Sequence, residues 1–214
     1  MLYPHLQGRR ILLFAGHTNK DMGTTQLAKE GETRYTAEAE INLDIVLSAA
    51  RDLEQHSNHL CQVFVGHGSW RRRARLAYLY KPDVVIDVHC NAFTDPDVRG
   101  FEVWCADDQP SKHLAEHLVE FLGNGNPIPS RGVHDIFVEA NPRRALWEKI
   151  PERPCVLIEC GFLTNKEDAE LLTHMPFQDI IALKIGLGLD AFFCRGENCE
   201  GCGIGGGCDA ENDE

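Results

Sequence analysis

Three segments of this chain carry side chains suited to hydrolytic chemistry, and each lies at the carboxyl end of a short apolar run. Ile11 to Ala15 leads into Gly16-His17-Thr18, Val84 to Val88 leads into His89-Cys90-Asn91, and Cys155 to Glu159 leads into Cys160-Gly161-Phe162. Two imidazoles and a carboxylate are the makings of a hydrolytic zinc site. Such a site takes three nitrogen or oxygen ligands, leaves one position to water, and keeps a carboxylate near enough to accept that water's proton. Glu38 can supply a third ligand, because the loop before its helical segment, Asn19 to Tyr35, is long enough to fold back over the ends of the runs. Each residue also has a plainer reading. A histidine at a strand end is often a hydrogen-bonded structural residue, and Glu38 suits the positive end of a helix dipole. Glu40 competes with Glu38 for the ligand role.

For these side chains to meet, the runs must lie side by side. Ile11 to Ala15, Cys61 to Val65, Val84 to Val88, Phe101 to Trp104 and Cys155 to Glu159 read as strands that are apolar on both faces, as strands covered on both sides are. Helical patterns separate them. Ala37 to Leu53 puts Ile41, Ile45, Val46 and Ala49 on one stripe, Leu114, Leu118, Phe121 and Leu122 form another, and Ile180 to Phe193 is a greasier last helix. This alternation predicts a single α/β domain, a three-layer sandwich with a largely parallel, twisted sheet flanked by helices. In an open sheet of that kind, ligands bind beyond the carboxyl ends of the strands.

Composition agrees. With 214 residues the chain holds about 1.4 times a typical domain of roughly 150, so one domain with an appendage is expected. That domain spans residues 1–193; the remainder, 194–214, is an acidic Gly/Cys-rich tail with Ile204 as its one aliphatic residue, and it cannot bury a core. The balance of 21 Lys+Arg against 33 Asp+Glu, a net charge of -12, argues against nucleic acid as a partner. No apolar stretch reaches the roughly 18 residues of a membrane span, so no membrane insertion is expected. Arg9-Arg10 before Ile11 to Ala15 is too short a pattern for a signal peptide, which predicts synthesis in the cytoplasm without an export signal. Nine cysteines in a chain of this length point to reduced thiols rather than a disulfide framework. Cys61, Cys90, Cys155 and Cys160 read as small buried hydrophobes. Cys194, Cys199, Cys202 and Cys208 read either as idle or oxidised thiols of a flexible tail or as ligands of a second, structural metal.

The order and wording of these segments resemble the zinc-dependent N-acetylmuramoyl-L-alanine amidases of the amidase-3 family, which cut peptidoglycan between muramic acid and the stem peptide. The family's D-P-G-H-G resembles Phe14-Ala15-Gly16-His17-Thr18, and its E-x-x-x-N-L resembles Glu38-Ala39-Glu40-Ile41-Asn42-Leu43. Its S-I-H-A-N-A resembles Asp87-Val88-His89-Cys90-Asn91-Ala92, and a G-F-E-V strand follows at Gly100-Phe101-Glu102-Val103. Its L-x-E-x-G-F-x-x-N resembles Leu157 to Asn165, and the likeness spans residues 10–190. The resemblance implies that His17, Glu38 and His89 are zinc ligands and that Glu159 is the catalytic carboxylate, taking a proton from water and returning it to the departing alanine amine. Glu38 is preferred to Glu40 because it keeps the family's spacing to Leu43. The chain departs from the family at Ala15, Thr18 and Asp87, where the family has Pro, Gly and Ser; Asp87 shares strand parity with His89, so it either orients that ligand or is a buried structural aspartate.

The resemblance further implies bacterial peptidoglycan, glycan strand and stem peptide together, as the partner. The expected state is a monomer acting on the cell wall, either as a phage-type lysin after holin-type release or as a cytosolic recycling enzyme. A zinc carboxypeptidase or amidohydrolase acting on another acyl-amino substrate is the alternative enzyme, and a wall-binding module without turnover is the alternative outside catalysis. Other motifs are read as structure. His113-Leu114-Ala115-Glu116-His117 matches an inverted zinc-protease pattern in letters, yet its polar residues share the face opposite Leu114 and Leu118, as on a solvated helix. Gly201-x-Gly203-x-x-Gly206 has no strand before it and no room for a helix after it. Arg71-Arg72-Arg73-Ala74-Arg75 opens a helix expected to turn Leu76, Ala77 and Leu79 inward, with Arg73 bracing the loop before His89, and Arg131-Gly132-Val133 is expected to border the glycan cleft.

Overall fold

The computed structural model describes residues 2–25, 36–136 and 153–194. After a short 3-10 turn, Pro4–Leu6, the strands are β1 (Arg10–Ala15), β2 (Gln62–His67), β3 (Val84–Asn91), β4 (Phe101–Cys105), β5 (Ser130–Asp135) and β6 (Cys155–Phe162). The helices are α1 (Glu38–His56), α2 (Trp70–Tyr80), α3 (Gln109–Gly123), α4 (Lys166–Leu172) and α5 (Met175–Phe193). All six strands form one sheet in the order β2-β1-β3-β6-β4-β5. The strands from β2 to β6 in that order run parallel, β4 is antiparallel to β6, and β5 is parallel to β4. One edge of the sheet therefore gathers the carboxyl ends of β1, β2, β3 and β6 and the amino ends of β4 and β5.

Five of the six strands coincide with apolar runs, and the sixth does not. Ser130–Asp135 reads Ser-Arg-Gly-Val-His-Asp and is exposed or half-buried throughout, with β4 as its single neighbour among the described strands. A run without apolar alternation carries no strand signal, and pairing to β4 alone makes it one. The central strands behave as expected for strands covered on both faces: every residue of β6, and all of β3 except Asn91, is buried.

Alternation splits the sheet into two faces. On one, Ile11, Leu13, Ile86, Val88, Val103, Val156 and Ile158 join the buried stripes of α1, α3 and α5 in the larger core. On the other, Leu12, Phe14, Val85, Cys155 and Leu157 form a smaller core with Ala77 of α2. Ile41, Ile45, Val46 and Ala49 are buried along α1 as their spacing requires. Leu79 corrects the expectation for α2: it is exposed, while Ala77 is buried and Leu76 packs beside the smaller core. Two helical residues beyond Ala77 is about 200° around the axis, which turns Leu79 to solvent.

Among the described residues no helix is long and apolar enough to cross a membrane. Cys61, Cys90, Cys155 and Cys160 are buried free thiols, as expected. Cys194, which closes α5, is disulfide-bonded, which departs from the general expectation of reduced thiols and agrees with the oxidised alternative for the tail. The tail with Cys199, Cys202 and Cys208 lies outside the described residues, as does the 26–35 part of the long loop.

A carboxylate with no solvent contact ties the end of β6 to the start of β4. Asp168 in α4 is 0% exposed and accepts hydrogen bonds from the backbone N–H of Gly100 (2.8 Å) and Phe162 (3.1 Å) and from Arg99 Nε (3.1 Å). Asn165 caps the same helix by accepting from the N–H groups of Glu167 and Asp168. Asp168→Ala strands two buried donors and a guanidinium, so urea unfolding should show a loss of about 3 kcal/mol. A loss below about 1 kcal/mol would mean that the knot is incidental.

Candidate metal centre

The site begins where β1 stops. Gly16 N–H donates to Val88 O (2.9 Å), so the backbone continues alongside β3 for one residue past the strand. A Cβ on Gly16 would lie 2.2 Å from the His89 ring, so glycine is what lets that ring cross the end of β1. His17 then takes a left-handed φ of 62°, an uncommon conformation for a residue with a side chain, and turns the chain off the sheet. Gly23 is the second enabling glycine. At φ +67° it brings the loop back so closely that a Cβ would sit 2.4 Å from Glu38 Oε2.

Glu38 opens α1 with its side chain buried. Its Oε2 lies 3.3 Å from His17 Nε2 and accepts from Thr24 N–H (3.1 Å). Its Oε1 lies 3.0 Å from His89 Nδ1 and accepts from Cys90 N–H (3.2 Å) and Asn42 Nδ2 (3.4 Å). Asn42 Nδ2 also donates to Gly16 O (3.2 Å), which fixes the turn to the helix. Burial works against ionisation of Glu38, but the imidazoles of His17 and His89 outweigh it and hold the carboxyl well below the usual carboxylate range. The same contact with Glu38 raises the His17 pKa, with burial opposing. Both shifts describe one fact, an ionised carboxylate that draws positive charge to this point.

One ligand atom from each of His17, Glu38 and His89 lies within 4.8 Å of the others, and among the described residues no further His, Cys, Asp or Glu belongs to such a group. The outer nitrogens support the fit to a metal ion. His17 turns Nδ1 toward Asp21 (3.3 Å) while Nε2 faces the centre, and His89 turns Nε2 toward Asp87 (3.4 Å) while Nδ1 faces the centre. A carboxylate on the far nitrogen is how metal-binding imidazoles are commonly oriented. Asp87 is 1% exposed and ion-pairs with Arg73, whose guanidinium lies over Phe14.

The remaining predicted residues fall as follows. Glu159 is fully buried on β6, in register with His89 on β3 and Glu102 on β4, and stands outside the three-residue group. Glu40 is outside it too, since two positions along a helix turn it about 200° from Glu38. His113 and Glu116 are exposed on α3, where His117 Nδ1 pairs with His113 O. Burial raises the thiol of Cys160 to about 12 and those of Cys90 and Cys155 well above the ordinary value, so none is poised as a nucleophile.

Glu102 and Arg131 extend the same edge and were not singled out together from the sequence. Glu102 is 4% exposed and accepts from Trp104 Nε1 (2.9 Å), Asn91 Nδ2 (3.4 Å) and Arg131 Nε. A charged residue inside the apolar run Phe101 to Trp104 was the available signal.

The sequence profile described as N-acetylmuramoyl-L-alanine amidase matches residues 11–191. The chain is 26% identical over 128 residues to the germination-specific N-acetylmuramoyl-L-alanine amidase of Bacillus subtilis, with 58% of this chain and 50% of that protein covered, so it spans half of that relative's length. It is 20% identical over 219 residues to a putative N-acetylmuramoyl-L-alanine amidase of Buchnera aphidicola, with 86% and 96% covered. The crystal structure of an N-acetylmuramoyl-L-alanine amidase from Clostridium difficile 630 superposes with a TM-score of 0.75 at 27% identity, covering 89% of this chain and 100% of that one.

Gly16→Ala drives a methyl group into the His89 ring and should weaken Zn2+ binding at least 10-fold in a chelator competition. Gly123→Ala, whose Cβ would meet nothing nearer than 3.7 Å, is the control and should bind as the wild type does. Equal affinities would refute the placement of His89 in the centre.

Proposed function

This chain belongs to the N-acetylmuramoyl-L-alanine amidase family, and on that premise we propose that it hydrolyses the amide between the lactyl group of muramic acid and the L-alanine of the peptidoglycan stem peptide. His17, Glu38 and His89 are the zinc ligands in this reading and Glu159 is the catalytic carboxylate. The observation that carries it is the juxtaposition at one sheet edge of a three-donor group with Glu159 on the strand next to His89. Zinc held there supplies a Lewis acid and makes hydroxide available near neutral pH.

The chain's own residues do the rest. Asp87, backed by Arg73, faces His89 Nε2 and favours the proton on that nitrogen, which leaves the Nδ1 lone pair for the centre. Cys90 N–H, Thr24 N–H and Asn42 hold both oxygens of Glu38 in place. Glu159 takes the proton of the attacking water and passes it to the alanine nitrogen, which cannot leave as an amide anion. The chemical unit is residues 1–193, acting as a monomer on the bacterial wall.

Glu159→Gln keeps size and hydrogen bonding but cannot carry the proton. Release of stem peptide from purified peptidoglycan should fall by about 10² or more while one equivalent of zinc stays bound. Loss of the zinc would instead make Glu159 a ligand. Chelation should abolish release reversibly, and cleavage that persists without metal would overturn the reading.

A second outcome concerns the tail. Truncation after Phe193 should leave the zinc content of the centre and the cleavage of soluble muropeptides unchanged, because all four proposed residues precede it. A truncated chain that folds but no longer turns over would place part of the machinery in residues 194–214.

A further inference from the structure

We propose that Arg131 is a specificity-determining residue that receives a carboxylate on the peptide side of the scissile amide; this rests on the amidase reading above. His89, Glu159 and Glu102 stand in register on the adjacent strands β3, β6 and β4, and Arg131 on β5 reaches Glu102 from the far side. With neighbouring strands about 4.8 Å apart, this row leads away from the metal centre over roughly 10 to 15 Å, and the arginine leans back along it. Two extended peptide residues at about 3.4 Å each cover about 7 Å of it, and an arginine that leans back from the far end to Glu102 shortens the remainder.

The side chain is held in place without being saturated. Its Nε donates to Glu102, its Cζ lies 5.4 Å from the centre of the Phe162 ring, and its stem crosses Gly100, where a Cβ would meet Arg131 Cδ at 2.7 Å. Glu102 is itself fixed by Trp104 and Asn91. The terminal Nη groups have no hydrogen-bond partner among the described residues, and the side chain is 41% exposed. With respect to the described residues, the fork of a positioned guanidinium is open to a bidentate anion.

The chemistry of the substrate decides which anion. The sugar carries neutral hydroxyl and acetamido groups, and the lactyl carboxyl is consumed in the scissile amide. The substrate's negative charges therefore lie on the peptide, and a free carboxylate on the residue after alanine falls within the interval that Arg131 commands.

The test uses the zinc-loaded full chain and two muramoyl dipeptides that differ only in a free carboxylate or its amide on the second residue. Wild type should favour the acid by about 10-fold or more in kcat/KM, chiefly through KM, since a charge-assisted bidentate pair is worth about that much or more. Arg131→Gln should bring the ratio toward one, and Arg131→Lys should restore part of it. Calorimetry with the released dipeptides, acid against amide, should show the same discrimination in wild type and its loss in Arg131→Gln. Equal handling of acid and amide by wild type, or a preference that survives Arg131→Gln, overturns the proposal. If neither muramoyl dipeptide is cleaved the amidase reading fails, and the calorimetric preference still decides for or against Arg131 on its own.

Discussion

A buried carboxylate between two imidazoles is the constraint on which the rest of this molecule depends. Removing an ionised carboxylate from water costs several kcal/mol even after relaxation, and Glu38 recovers that only because His17, His89, two backbone N–H groups and Asn42 converge on it. Each donor needs its own local conformation. His17 must turn through positive φ, Gly23 must bring Thr24 within reach, Gly16 must leave room for the His89 ring, and α1 must begin at Glu38 and not a residue later. Alter one of these and the carboxylate loses a partner it cannot replace with water. A cation at the centre would satisfy the same charge, so the donors that stabilise Glu38 are also a set that could hold a metal ion.

The sheet distributes labour between its faces. The face covered by α1, α3 and α5 carries the larger core and the long helix packing. The other has a smaller core around Phe14 and Leu157, and the site residues Asp87, His89, Glu102 and Glu159 share its parity. Reversal of β4 and β5 matters as much as the parallel order of the rest. Were β4 parallel to β6, its carboxyl end would deliver Cys105 to this edge; because it is antiparallel, its amino end delivers Glu102, and β5 delivers Arg131.

That reversal also explains which parts were legible beforehand. His17, His89 and Glu159 end parallel strands, where an open sheet puts its ligands, so they could be read from apolar runs alone. Glu38 needed the family likeness to separate it from Glu40, and helix phase now separates them on physical grounds. Arg131 is legible as a border of the cleft and Glu102 as part of the family likeness, but not their pairing, because both lie at the starts of strands whose direction is set by pairing between distant segments that no local pattern encodes. The polar β5 escaped for a related reason: an outermost strand can be held by backbone pairing to one neighbour, so its side chains need not be apolar. Leu79 was misplaced by counting apolar residues without following the helical turn through Ala77.

Two buried carboxylates on neighbouring strands, Glu102 and Glu159, would repel if both were left to themselves. The structure treats them differently. Glu102 has an indole N–H, an amide N–H and a guanidinium as donors, so its charge is compensated and its lone pairs are committed. Glu159 stands in register with His89, and in the proposed reaction it is the group that must gain and lose a proton. In that reading the two carboxylates have distinct roles, one held by three donors and the other exchanging a proton. The arginine that quiets Glu102 is also the one proposed to receive the substrate's carboxylate, which links the division of roles between the carboxylates to recognition of the substrate.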